Sequence, residues 1–449
     1  MRTSSIRSIV VAALAALLVC AVPASASQAG DTEHGVNRKK LANKALKLVE
    51  TRNGIDVLKI SRCGPQKKKH GLNFSKWVCE WRAAGEYAGD VPYSCAGKAV
   101  WKRKKNRWRV DKCQNQMQPQ VPLLDTPGPA PAFGYNDNWI FQSNTALDKA
   151  NAGGAQIART SLAWSGVEGQ QGSYNWYGSD ALYNKLLERG MRPLWVIIDA
   201  PCWAQPNPGA CESGDSQLHP AKQHTDDFAQ FAAIAAKRYP KSAGIEIWNE
   251  PNYPLFWGGW PDVDQYAKML SASADAVHKA QPGMPVVSGG LSPHADSDKS
   301  AIGFSNYLDD LYKRGAIQKA DAIGIHPYPG VGPSQDYFSD VRVYLGKVQN
   351  VMQAHGDGSR PLWATEFGVS TTGDKAFAPS AQGDALVQLY TLLRSAAGMN
   401  IPVAVIHRFV EAPGLGGREA GFGMVNKDLS VKPAYCAMST ARGASPQSC

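Results

Sequence analysis

The sequence predicts an α/β chain, a (β/α)8 TIM barrel preceded by a small disulfide-bonded α+β domain. Three observations predict it. From Ala132 onward, eight short apolar, β-branched segments alternate with amphipathic helical ones, the pattern of parallel strands joined by crossover helices. Residues 31–115 hold 21 Lys and Arg against 8 Asp and Glu, whereas residues 116–449 hold 25 against 30, so the chain changes character between them. No Gly-rich phosphate loop follows the first strand of the repeating region, which argues against an open dinucleotide-binding sheet.

The elements follow in order. Arg2 and Arg7, the apolar run Ile9 to Val22, and Ala24-Ser25-Ala26 have the layout of a secretory signal peptide, so residues 1–26 are expected to be removed and the chain exported. The run is shorter than the roughly 20 residues a membrane span needs, and no later stretch qualifies. Without Cys20, eight cysteines remain, an even number that an oxidising compartment lets pair. Their positions suggest Cys202 with Cys211 and Cys436 with Cys449, and leave the pairing of Cys63, Cys79, Cys95 and Cys113 open. None has zinc-like C-x-x-C spacing, and neither a metal nor an organic cofactor is implied.

Within the basic domain of residues 31–115, a helix is expected over Asn37 to Thr51. Strands are expected over Ile55 to Ser61, Lys76 to Arg82, Ala99 to Lys102 and Arg107 to Lys112. Lys67-Lys68-Lys69 and Lys102 to Lys105 fall at hairpin tips. With Trp77, Trp81, Trp101 and Trp108 between them, this surface either grips an anionic polymer of the cell wall, or the tryptophans fill a small core beneath solubilising lysines. Export and charge borne on hairpins argue against nucleic acid. Residues 116–131, Gln-rich and then Pro-rich, read as a stiff linker.

In the domain of residues 132–449, strands are expected over Ala132 to Tyr135, Gln156 to Thr160, Arg192 to Asp199, Gly244 to Trp248, Pro285 to Gly289, Ala322 to His326, Leu362 to Thr365, and Val403 to His407. Ser179 to Arg189 aligns Leu182, Leu186 and Leu187 on one helix face and stops at Gly190. Asp264 to Lys279 aligns Tyr266, Leu270 and Val277, with Asp264 near the positive N-terminal dipole.

Catalytic groups of such a barrel sit at the C-terminal strand ends. Glu250 directly follows the fourth strand and Glu366 the seventh, each behind an apolar segment that contains Trp. Two ionisable groups at a barrel mouth are costly to bury without purpose. A protonated carboxylic acid and a carboxylate about 5 Å apart form the set that cleaves a glycosidic bond with retention. An oligosaccharide or polysaccharide is therefore the expected partner.

Trp248-Asn249-Glu250-Pro251-Asn252 and Trp363-Ala364-Thr365-Glu366-Phe367-Gly368 resemble the strand-four and strand-seven signatures of clan A glycoside hydrolases. Together with Gly423-Met424-Val425-Asn426 and Lys432-Pro433-Ala434-Tyr435, they are most similar to family 39, the β-xylosidase-related family, with family 5 sharing much of the pattern. The resemblance covers Ala132 to Ala441. It implies Glu250 as acid/base, Glu366 as nucleophile, and Asn249 on the sugar 2-hydroxyl. His326-Pro327-Tyr328 matches the segment after strand six, which implies that Tyr328 donates to Glu366. Arg159 at the end of strand two would lower the nucleophile's pKa. Strand eight departs from the clan: where a Trp usually floors the sugar site, this chain reads His407-Arg408-Phe409. Phe409 is then expected to stack on the sugar, or Arg408 to read a charged group on it. Trp203, Trp257 and Trp260 are candidate sugar platforms, since aromatic faces pack against pyranose C–H faces. Two other readings keep the same barrel: a transglycosylase, and a non-catalytic carbohydrate-binding surface protein.

Overall fold

The computed structural model describes residues 32–33, 36–53, 59–68, 71–87, 91–110, 121–137, 143–214, 218–295, 299–329, 337–373 and 376–449. The segment read as a signal peptide lies outside them. The chain forms two compact units, Met1–Pro119 and Gln120–Cys449.

In the first unit, the two-residue strands β1 (Thr32–Glu33) and β2 (Val36–Asn37) lead into helix α1 (Arg38–Asn53). A four-stranded antiparallel sheet follows, with β3 (Lys59–Lys68), β4 (Gly71–Tyr87), β5 (Val91–Lys102) and β6 (Arg107–Val110) paired in chain order. Leu41 and Ala45 of α1 are buried, as are Trp77, Cys79, Ala99 and Val110 of the sheet. A disulfide joins Cys63 to Cys79 across the β3–β4 pair. Trp77 is therefore core, not surface. Trp101 and Trp108 are half-buried cross-strand neighbours with ring centroids 6.1 Å apart. Beyond them Lys102 to Lys105, Arg107 and Arg109 are exposed. The side chains of Trp81 and of Lys67 to Lys69 lie outside the described residues.

The second unit is the barrel. Its strands are β7 (Ala132–Asn136), β8 (Ile157–Ala163), β9 (Arg192–Ile198), β10 (Gly244–Ile247), β11 (Val286–Ser288), β12 (Ile323–Ile325), β13 (Leu362–Phe367) and β14 (Val403–His407). All eight pair in parallel in cyclic order, β14 beside β7. The bridges Val287↔Ala322 and Leu291↔Ile325 bring β11 to β12 and close the ring. Its crossover helices include Asn144–Ala152, Tyr177–Leu187, Thr225–Arg238, Val263–Ala280, Phe304–Lys313, Tyr337–Ala354 and Pro379–Ser395, and Pro433–Ala441 follows β14. Residues 121–131, part of the stretch read as a linker, run along this unit. The amide of Val121 donates to the Arg342 carbonyl (3.1 Å), and Gly128 to that of Arg394 (2.9 Å).

Strand alternation divides the apolar residues into two sets. Ile157, Leu194, Val287, Ala322, Trp363, Val403 and Val405 cluster inside the barrel, while their neighbours Trp195, Ile197, Ile245 and Ala404 join the larger core under the helices. Gly244 makes room for the Trp363 ring, which lies 3.2 Å from where a Cβ would stand. Disulfides join Cys202 to Cys211 and Cys436 to Cys449, as the spacing suggested. Asp264 stands in the first turn of the helix Val263–Ala280, near its positive N-terminal end, and Asp262 caps it, its side chain accepting from the Gln265 amide at 3.0 Å. No helix among the described residues is long and apolar enough to cross a membrane.

Candidate active site

Above the apolar interior, the next inward positions are polar. Arg159 of β8, two residues past Ile157, is buried and lays its guanidinium along Glu246 of β10, with Nε to Oε2 at 2.7 Å and Nη2 to Oε1 at 3.0 Å. Glu246 Oε1 also accepts from the Gly290 amide (2.9 Å) and the Thr365 hydroxyl (3.1 Å). A buried ion pair persists when its lone pairs are met in this way. From that base Arg159 Nη1 reaches Glu366 Oε1 at 2.5 Å, and Nη2 reaches the Asn249 side-chain oxygen at 2.8 Å.

Glu366 turns inward because β13 slips register against β14 between Ala364 and Phe367. Thr365 and Glu366 are consecutive, yet both meet groups inside the barrel, which a regular strand does not allow. Oε1 of Glu366 accepts from Asn136 Nδ2 (2.9 Å), and Oε2 accepts from the Tyr328 hydroxyl (2.7 Å). Burial by itself pushes this carboxyl up. The neighbouring His326, Arg159 and His407, and the Tyr328 hydrogen bond, outweigh it and hold Glu366 well below its ordinary value of 4.5. Burial and the Glu366 charge raise the Tyr328 hydroxyl well above its ordinary value, so Tyr328 stays a donor.

Glu250 stands just past β10 in a strained turn. Trp248 and Glu250 adopt positive φ of 71° and 42°, a conformation side-chain-bearing residues hold only where the surroundings impose it. Asn252 supplies part of that constraint. Fully buried, it donates to the Ser292 and Ile302 carbonyls (both 3.0 Å) and accepts from the Ser292 amide (2.9 Å), tying this turn to the loops after β11. The Glu250 amide donates to the Gly290 carbonyl at 3.1 Å. The Glu250 carboxyl meets His326 Nδ1 at 2.9 Å, and His326 Nε2 meets Thr365 Oγ1 at 3.2 Å. A Cβ on Gly290 would stand 2.1 Å from His326 Nε2, so only glycine leaves that ring its place.

A Glu250 oxygen, a Glu366 oxygen and a His326 ring nitrogen all lie within 4.8 Å of one another. That spacing alone suits a divalent ion. The guanidinium already on Glu366 supplies positive charge there.

The structure thus brings together Glu250, Glu366, Asn249, Arg159, His326 and Tyr328. His326 is fully buried against both glutamates and Thr365. The proposed aromatic platforms need correction. Phe409 is fully buried, its ring 4.7 Å from Tyr135, because the backbone turns over at Arg408 (φ 73°) and sends the next side chain into the core. Trp257 is also buried, stacked on His219 at 4.9 Å and packed on Trp248. Trp203 is half-buried, its ring edge-on to Trp164 and its indole donating to the Glu168 carbonyl at 3.0 Å. In the loop after β10, Trp260 is 60% exposed, and Phe256 is exposed as well.

Sequence reasoning missed four members of the site: Glu246, Asn136, His407 and Glu419. Asn136 and His407 end the first and eighth strands, and their position at the C-terminal rim was the available signal. Glu246 stood inside an apolar strand, itself a signal of a buried partner. Glu419, in the loop after β14, carries none.

No family model and no curated protein matches the sequence. Solved structures match the fold. A family 39 glycoside hydrolase from the gut symbiont Bacteroides cellulosilyticus aligns with 86% of this chain and 80% of its own, at 17% identity and a TM-score of 0.56. A monomeric β-xylosidase from Caulobacter crescentus aligns with 71% of this chain and 70% of its own, at 16% identity and a TM-score of 0.51. An exo-β-1,4-mannosidase from an Opitutaceae bacterium aligns with 73% and 63%, at 15% identity and a TM-score of 0.50. The fold is thus similar to that of the family which the two glutamate motifs resemble.

Proposed function

We propose that this chain is an exported retaining glycoside hydrolase that cleaves β-O-glycosidic bonds of an oligosaccharide or polysaccharide. One observation carries the reading: Glu250 and Glu366 oxygens lie within 4.8 Å of each other at the C-terminal mouth of the barrel, and Glu366 is held ionised. Carboxyl groups about 5–5.5 Å apart mark the retaining geometry, whereas inverting enzymes leave room for a water between them.

In the first step a Glu366 oxygen bonds to the anomeric carbon as the glycosidic C–O bond breaks, and Glu250 gives its proton to the departing oxygen. In the second, water attacks that carbon, Glu250 takes the proton back, and the ester to Glu366 breaks. Arg159, Asn136 and Tyr328 fix both nucleophile oxygens, and Asn249 presents its amide beside them for the sugar 2-hydroxyl. The exposed rings of Phe256 and Trp260 offer the sugar platform that Phe409 and Trp257 do not. Export rests on the leader-like residues 1–26 and on the three disulfides among the described residues, which persist in oxidising compartments. The exposed basic hairpin around Arg103 to Arg109 suits an anionic cell-wall polymer.

The test is turnover of aryl β-xyloside, β-glucoside and β-mannoside by the wild type, Glu250→Gln and Glu366→Ala. Glu250→Gln is expected to lower kcat by roughly 10²–10⁴-fold, the loss of one general acid. Glu366→Ala is expected to be inactive until azide is added, and then to release a glycosyl azide of inverted configuration. A wild type that turns over none of these, or a Glu366→Ala variant that still hydrolyses, sinks the proposal.

A further inference from the structure

We propose that His407 is a positioning residue for the Glu366 carboxylate: anchored on Glu419 at the rim, it sets the pH below which Glu366 loses its charge. The inference deepens the retaining mechanism and rests on it.

His407 is the last residue of β14, two past inward-facing Val405, and its ring stands between two carboxylates. Nε2 lies 2.9 Å from Glu419 Oε2, and Nδ1 lies 3.5 Å from Glu366 Oε2. Nδ1 is also 3.1 Å from Asn136 Nδ2, the amide that donates to Glu366 Oε1. The other groups around it are Arg408, which shares Glu419 at 3.3 Å, and the Tyr328 and Phe422 rings at 5.9 and 4.9 Å. Arg418 stacks behind Phe422, and His326 faces Glu366 at 3.7 Å from the other side.

The ring has two ways to satisfy this surround. With one proton, on Nε2, it donates to Glu419 and accepts from Asn136. With a second proton on Nδ1, the ring gives up the Asn136 amide, which can only donate, and turns its N–H and positive charge on Glu366 Oε2. Burial disfavours the charged form, but the Glu366 charge and the Glu419 hydrogen bond more than offset it and raise His407 above its ordinary value. The charged ring in turn is one of the groups holding Glu366 down. Glu419 is half exposed, so its charge can be removed without opening the core.

The experiment measures kcat/KM against pH for the wild type, His407→Gln and Glu419→Gln, and the His407 ring titration by NMR in the wild type, Glu419→Gln and Glu366→Gln. His407→Gln keeps hydrogen-bonding groups but carries no charge. Its acid limb should move up by about one pH unit, about a tenfold loss on that limb, and more than its plateau falls. Glu419→Gln should move the limb the same way by less, and lower the His407 titration. Uniform loss across pH in His407→Gln, or a His407 titration untouched by both Glu→Gln changes, overturns the inference. If the wild type has no turnover, the reaction reading fails by itself. The NMR arm still decides whether His407 and Glu366 are coupled.

Discussion

Arg159 carries the electrostatics of the site. Its guanidinium is buried and shared among Glu246, Glu366 and Asn249. Replacing one partner of a buried ion pair leaves the others charged and unpaired, at a cost of about 3–5 kcal/mol. Arg159→Met should therefore lower stability by about that much at neutral pH, read from urea midpoints. The pH dependence has a definite sign. A carboxyl held below 4.5 in the folded state stabilises the wild type above that pH, and the contribution is lost as pH falls through the folded value. Without Arg159, Glu366 has less to lose. The gap between the two proteins should narrow as pH steps down through 4.5, and a gap that stays constant or widens would show that Arg159 acts by packing alone.

At the scale of elements, the loop after β10 holds Glu250 in place and is itself held by the helix Val263–Ala280. Asp262 caps that helix, and also pairs with Lys222 at 2.8 Å. Losing an N-cap costs about 1 kcal/mol, so Asp262→Ala should lower stability by about that amount, with a lower melting midpoint, while the glutamate pair keeps its spacing. Thermal melts check the first expectation and the pH profile of any turnover the second. The elements were the most legible part of the sequence. All eight barrel strands fall where apolar β-branched runs stand, because both faces of a barrel strand are buried and the run needs no alternation to be seen. Glu250 and Glu366 were legible for the same reason, each abutting such a run. Trp257 and Phe409 were misread because sequence cannot tell a loop aromatic that faces solvent from one that folds back under its own turn. Asn136 and His407 meet Glu366 from distant segments and are marked only by their place at strand ends, while Glu419, which reaches Glu366 through His407, carries no local mark. The slip in β13 that turns Glu366 inward is equally silent, since it depends on pairing with β14.

At the scale of the whole molecule, the two units differ in charge, +13 over residues 31–115 (21 minus 8) and −5 over residues 116–449 (25 minus 30). The positive charge is concentrated on the described hairpin, where Lys102, Arg103, Lys104, Lys105, Arg107 and Arg109 are exposed beside the stacked Trp101 and Trp108. Exposed charges of one sign attract a polyanion over roughly a Debye length, about 10 Å at 0.1 M salt and 3 Å at 1 M. Retention of the full chain on polygalacturonate-coated beads should therefore be strong in dilute buffer and lost near 1 M salt. Replacing Arg103, Lys104 and Lys105 together by Glu should abolish retention in dilute buffer as well. Retention that persists in high salt, or that survives the triple replacement, would mean that the hairpin charge serves solubility and that the tryptophan pair serves the small core.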